Sequence, residues 1–332
     1  MTDTLRAVGT SVSGPAAHMD WREVAGLAGM ITDAVARAFR GKPEVIEACA
    51  VTLLAGGHLI IEDFPGVGKT LLAKALARSV HCRFARIQFT PDLLPSDITG
   101  VNVFNQKKGE FEFRPGPIFA NIVLADEINR ASPKTQSSLP ECMQEQQATI
   151  DTVTYRLAPP FMVIATQNPV EYEGTYALPE AQLDRFMMRL RLGYPTADDE
   201  IALLDEGTSS DLLARVPTVV SDTQVLAMAA TGRGGRAVES VRRYVVALTT
   251  ASRSTADLFL GASPRAGLAL LAAARVLALL RGRDYVVPQD IKDLAIRVLS
   301  HRVILSPEAR MHGKTTESVL SDLLNSVPAP RG

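Results

Sequence analysis

The sequence predicts an α/β protein in two parts, a parallel sheet covered by helices and then an all-helical region. Three observations carry that expectation. Short apolar runs, "HLII", "RFARIQF", "NIVLAD", "FMVIAT" and "MMRLRL", alternate with helical segments over residues 58–192, the pattern of a parallel sheet buried on both faces. The first run passes through a Pro-Gly and Gly-Lys-Thr turn directly into helical spacing. Beyond "GYP" at residues 193–195, helical periodicity continues with almost no strand signal.

Taken in order, residues 1–20 are rich in small and polar types without a sustained period and read as a flexible tail. Helical spacing over residues 21–39 opens a first, α/β domain that extends to residue 195. Within it "GVNVFNQKKGEFEFRPG" (residues 100–116) and "ATIDTVTYRL" (148–157) alternate around polar turns, which predicts two β-hairpins inserted into the sheet scaffold. An acidic, polar stretch at 196–210 reads as a linker, and residues 211–332 as an all-α lid.

A chain of 332 residues with 46% hydrophobic content can bury a sizeable core, more readily as two domains than one. Its formal net charge of -1 supplies no field for nucleic acid. Cys49, Cys82 and Cys142 lack metal or disulfide spacing, and the histidines form no H-E-x-x-H. The N-terminus has no apolar leader and no uncharged run is long enough for a bilayer. The expectation is a cytoplasmic protein without membrane insertion.

The turn in "LIIEDFPGVGKTLLAKALA" (residues 59–77) has a chemical purpose. Pro65, Gly66 and Gly68 let backbone N–H groups turn inward, and the following helix adds the positive end of its dipole, so the loop forms a nest for phosphate oxygens. Lys69 supplies a mobile charge for β- and γ-phosphates and Thr70 a hydroxyl for Mg²⁺. "NIVLADEINR" ends a buried run with two acids, as expected at the C-terminal edge of a sheet. Asp126 would hold Mg²⁺ through water and Glu127 would polarise the attacking water, although an acidic pair there also caps helices. "FMVIATQNP" ends in Asn168, whose amide can donate to a phosphate and accept from water at once; Asn-Pro is also an ordinary turn.

Two arginines complete the set. In "GASPRAGLALL", Ser263 suits an N-cap and Pro264 the first helical position, which puts Arg265 in the first turn. A cation there opposes the helix dipole by about 0.3–1 kcal/mol, a conflict that a nucleotide phosphate would relieve; a surface arginine tolerated at that slight cost is the other reading. Arg185 lies where "LPEAQLDRF" feeds the fifth strand. By spacing alone it is a solvated helix-end charge; in a ring it could reach a neighbour's γ-phosphate.

The runs "LADEINRASPKTQSSLPECMQE", "VIATQNPVEYEGTYALPEAQLDRF" and "GASPRAGLALLAAARVLALLRGRDYVVPQDI" make the chain resemble the MoxR family of AAA+ ATPases over residues 39–305. The resemblance implies a P-loop NTPase αβα sandwich with a five-stranded parallel sheet, the hairpins as the helix-2 and pre-sensor-1 inserts, and a helical lid. It implies ATP and Mg²⁺, with nucleotide contacts running from Gly41 through Asp63, Phe64, Pro65, Gly66, Val67 and Gly68 to Lys69, Thr70 and Leu71. It further implies Walker B at Asp126 and Glu127, sensor 1 at Asn168, an arginine finger at Arg185 and sensor 2 at Arg265. Such proteins are chaperone-like motors, typically hexameric rings, that remodel or mature clients, sometimes with metal insertion, often beside a von Willebrand factor A domain partner.

Four positions depart from the family pattern. Asp63 replaces the first Walker glycine, Lys42 stands where Gly-Gln is usual, and the hairpin turn Asp151-Thr152 lacks glycine. Pro140 falls where the family has an aliphatic residue in a helix, and an interior proline costs about 3 kcal/mol or bends the helix. Alternatives to a remodelling ATPase are a chelatase-type motor subunit and an ATP-dependent, non-hydrolysing scaffold or switch. A DNA motor is disfavoured because the hairpins carry few basic residues, Lys107, Lys108 and Arg156.

Overall fold

Each apolar run becomes a strand of one sheet. In a computed structural model that describes residues 5–7, 18–40, 42–169, 175–206 and 208–330, strands Leu59–Glu62, Phe84–Gln88, Ile122–Asp126, Met162–Gln167 and Met188–Leu190 are all parallel. Across the sheet they run fifth, first, fourth, third, second. The register sets Glu62 beside Gln167 and Gln88 beside Asp126, so the C-terminal ends of these four strands meet along one edge.

The continuous apolar pattern follows from burial on both faces. Residues 59–61, 122–125 and 162–165 are fully buried, and successive side chains alternate between two cores. Ile60, Val123, Ala125, Val163 and Ala165 face a core closed by the hairpins. Leu59, Ile61, Leu124, Met162 and Ile164 face another that runs on into the lid through Leu270, Leu277 and Ile291. Trp21–Ala36 packs against both the P-loop helix Lys69–Ser79 and the lid helix Pro264–Leu280.

Both hairpins form, Gly100–Asn105 with Glu110–Pro115 and Gln147–Ile150 with Val153–Arg156. Asp151 takes the left-handed conformation that glycine usually supplies, φ +54°, which short polar side chains tolerate. Its carboxylate accepts a bond from Asn102 Nδ2 at 2.7 Å and so ties one hairpin to the other.

Three elements add detail to the expected organisation. Within the expected flexible tail, Leu5–Ala7 forms a strand parallel to Val153–Arg156, using backbone groups that this edge would otherwise leave unpaired; the rest of residues 1–17 lies outside the described residues. The expected linker holds the helix Ala197–Glu206 and the start of Ser209–Ala214. The acids that suggested a linker, Asp198, Asp199 and Glu200, occupy a first helical turn, where the dipole favours them. The helical lid also carries one short antiparallel pair, Leu258–Leu260 with Ile304–Leu305.

Pro140 stands in the first turn of Leu139–Glu145, separate from Pro133–Gln136, so the segment after the acids is two short helices and the proline's missing N–H falls where none is needed. Lys42 is the extended residue before Pro43–Leu54, the conformation a following proline imposes. No helix among the described residues is long and apolar enough to cross a membrane.

Candidate nucleotide site

The P-loop forms where strand Leu59–Glu62 turns into helix Lys69–Ser79. Gly66 and Gly68 have φ of +86° and +89°, and a Cβ on Gly68 would lie 3.3 Å from the Phe39 ring, so the loop needs both glycines. Asp63, where the motif has a third, is not among the positive-φ residues and does something glycine cannot. Its buried carboxylate accepts the N–H groups of Phe64 at 2.9 Å and Gly193 at 2.6 Å. That ties the loop to the end of the fifth strand. The Asp63 carbonyl accepts Lys69 Nζ at 2.7 Å, and Phe64 stacks on Tyr194 with centroids 5.7 Å apart.

Asp126 is buried, and each of its oxygens has a partner. Oδ1 accepts the Thr166 hydroxyl at 2.6 Å; Oδ2 accepts two Arg86 nitrogens at 3.0 and 2.6 Å. Glu127 follows with φ +56°, a strained geometry for a non-glycine residue and one that recurs at functional sites. Thr166 Oγ1 takes the Glu127 N–H at 2.9 Å. The Glu127 carboxylate accepts Gln88 Nε2 at 2.7 Å and Arg130 at 2.9 Å.

These parts converge on one cavity of about 480 Å³, lined by Pro65, Gly66, Gly68, Lys69, Thr70 and Leu71 with Asp126, Glu127 and Asn168. Asp63 and Val67 are buried beneath the loop and Phe64 lies outside the lining. Gly41 lies outside the described residues. Arg86, Lys74 and the helix carrying Ser209, Ser210 and Leu213 also reach the cavity, and sequence reasoning missed them. For Arg86 the sequence offered only a charged residue in the middle of a strand; that it faces Asp126 follows from the pairing of that strand with Ile122–Asp126. For Ser209 there was no signal, because that wall forms only when Ser209–Ala214 packs on the P-loop helix.

The donors suit a hard divalent ion, with a hydroxyl from Thr70 and a carboxylate from Asp126 at the cavity wall. No cluster of three His, Cys, Asp or Glu exists among the described residues; Mg²⁺ typically asks for only one or two carboxylates beside phosphate oxygens and water.

The two arginines do not join this cavity. Arg185 precedes the edge strand Met188–Leu190, whose first residue pairs with Leu59, so it lies toward the N-terminal edge of the sheet, away from the loop that follows Glu62. Its Nε is buried without a hydrogen-bond partner among the described residues. Arg265 does follow the Ser263 cap, which accepts the Ala266 N–H at 3.3 Å, but it faces Asp184 at 3.9 Å rather than the phosphate loop of its own chain. The reason is lid packing: Pro264–Leu280 lies against Trp21–Ala36 and Pro43–Leu54.

A phosphate loop, paired acids and a strand-end asparagine around one cavity, on this sheet order and with a helical lid, define a P-loop protein of the AAA+ class. Comparison with known proteins agrees. The model for the ATPase family associated with various cellular activities matches residues 58–188, and the AAA lid domain matches 250–323. YeaC of Bacillus subtilis is 47% identical over 92% of this chain and 95% of its own. Chaperone MoxR1 of Mycobacterium tuberculosis is 40% identical over 90% of this chain and 81% of its own. A crystal structure from Cytophaga hutchinsonii superposes with TM-score 0.87 at 39% identity, covering 94% and 97% of the two chains. The chain belongs to the MoxR family of AAA+ ATPases.

Proposed function

We propose that the protein is a Mg²⁺-dependent ATP-hydrolysing motor that remodels or matures client proteins in the cytoplasm, working as a ring, most simply a hexamer. The observation that carries this reading is the convergence of Lys69, Thr70, Asp126, Glu127 and Asn168 on one cavity. Lys69 Nζ donates to the Asp63 carbonyl, at the mouth of the nest, where its charge would meet the β- and γ-phosphates. Glu127, a carboxylate anchored at one oxygen by Gln88 and Arg130, orients and deprotonates water, and Asn168 fixes that water against the γ-phosphate. Mg²⁺ bound by Thr70 and Asp126 would neutralise charge developing on the phosphate oxygens.

Arg185 and Arg265 act on a different copy of the chain. Both lie beside Asp184, remote from their own P-loop, and a guanidinium presented there can meet the nucleotide of a neighbour. The relative named Chaperone MoxR1 supports the client-remodelling role, and the family resemblance supports a von Willebrand factor A domain partner and metal insertion into some clients.

Glu127→Gln tests the hydrolytic reading. ATP binding is expected within about twofold of wild type while turnover falls by about 10²-fold or more, the usual worth of a positioned base. Unchanged phosphate release would remove Glu127 from the mechanism.

A further inference from the structure

Arg302 follows the lid helix Pro288–Leu299, yet its side chain belongs to the segment around Arg185. It is 8% exposed. Nε donates to the Asp184 carboxylate at 2.9 Å. One terminal nitrogen donates to the carbonyls of Met187 at 3.2 Å and Val298 at 2.6 Å, the other to those of Asp184 at 3.0 Å and Phe186 at 2.8 Å. His301 Nε2 adds a second bond to the Phe186 carbonyl at 2.8 Å. The lid thus grips residues 184, 186 and 187 by their backbone oxygens and leaves the side chain of Arg185 out of the clasp.

Such a clasp asks for arginine. A planar fork directs its donors along fixed lines, whereas a lysine offers three from one point. Burial pushes the guanidinium pKa down to about 10, against which the Asp184 carboxylate works, so the group is charged at neutral pH. Asp184 is shared, since Arg265 approaches its other oxygen at 3.9 Å.

We propose that Arg302 is a positioning residue, through which the lid fixes the backbone on both sides of Arg185 so that this guanidinium is presented to the phosphate of a nucleotide bound by an adjacent copy of the chain. The inference rests on Arg185 acting in trans, as above. A group that must meet a transferring phosphoryl loses about 10²-fold for a displacement of about 1 Å, so a loosened clasp shows in turnover before it shows in binding. The lid, whose helices share a core with the sheet, thereby gains a direct connection to the neighbour's reaction.

The test uses the full-length assembled protein. Arg302→Lys is expected to bind a fluorescent ATP analogue within about twofold of wild type, because its own P-loop is intact, while turnover falls about tenfold or more. Mixed with Glu127→Gln subunits, which cannot hydrolyse but carry an intact Arg185 and Arg302, it should recover turnover above the sum of the two proteins alone. Arg185→Ala in the same mixture is the reference. Full turnover of Arg302→Lys by itself, or no recovery where Arg185→Ala recovers, overturns the proposal and leaves the trans role of Arg185 standing. No recovery of Arg185→Ala removes that role and this proposal with it. Should Arg302→Lys fail to fold, as a lowered unfolding midpoint would reveal, Asp184→Asn carries the test, with a smaller loss and the same recovery; absence of either overturns the proposal.

Discussion

At the scale of single residues, Asp63 shows how a departure from a motif can be read only once its partners are known. The motif's glycine serves flexibility; here the position needs none, and a carboxylate instead satisfies two backbone N–H groups, one of them 130 residues away. Replacing Asp63 by Ala should therefore lower the free energy of unfolding in urea by about 1 kcal/mol, the lower end of the cost of leaving donors unpaired, because both N–H groups are only partly buried. An unchanged midpoint would mean that water takes over both bonds. Arg86 is a parallel case. Its guanidinium, not a nearby backbone group, faces Asp126, and only the pairing of Phe84–Gln88 with Ile122–Asp126 brings it there.

Among the elements, the P-loop and the first helix make opposite demands on glycine. Gly68 combines φ +89° with a Phe39 ring at 3.3 Å from a Cβ. Gly68→Ala should destabilise by about 1 kcal/mol or more and weaken ATP binding, since the strained loop can no longer hold its N–H groups inward. Gly26, inside Trp21–Ala36, is exposed with nothing within 4 Å of its Cβ position, so Gly26→Ala should stabilise by about 0.5–1 kcal/mol. Unfolding curves of the two variants check both signs. Elements of this kind were legible in the sequence because their signals are local. Alternating runs marked the strands and hairpins, and Ser263-Pro264 marked the start of the long lid helix. The helix Ala197–Glu206 was not legible, because an acidic stretch describes a solvated first turn as well as a linker.

For the molecule as a whole, buried histidines set a limit at low pH. His58 lies between sheet and helix, its Nδ1 accepting the Val163 N–H at 3.0 Å and its Nε2 donating to the Met143 carbonyl at 2.8 Å, which is the neutral ring. Burial lowers its pKa from 6.5 to about 4, and burial also lowers that of His301. Between pH 6.5 and about 4 the unfolded chain therefore binds the proton that the folded chain refuses, and stability rises with pH in that window. The contribution is complete above pH 6.5 and lost as pH falls toward about 4. Urea midpoints measured at steps from pH 7.5 to 4.5 should decline, with a shallower decline for His58→Gln; parallel slopes would remove His58 as a cause.

What the sequence determined by itself is whatever neighbours along the chain decide: periodicities of strand and helix, the glycines and lysine of the phosphate loop, and the acids that end a buried strand. These depend on backbone sterics and on the solvation of adjacent side chains, which a few consecutive residues specify. Tertiary structure alone decided that Arg265 meets Asp184 rather than its own phosphate loop, that Arg302 clasps the backbone around Arg185, and that Ser209 walls the cavity. Those placements follow from how the lid helices bury their apolar faces against the sheet. Packing of that kind is a property of surfaces assembled from distant segments, and no spacing within any one of them encodes it.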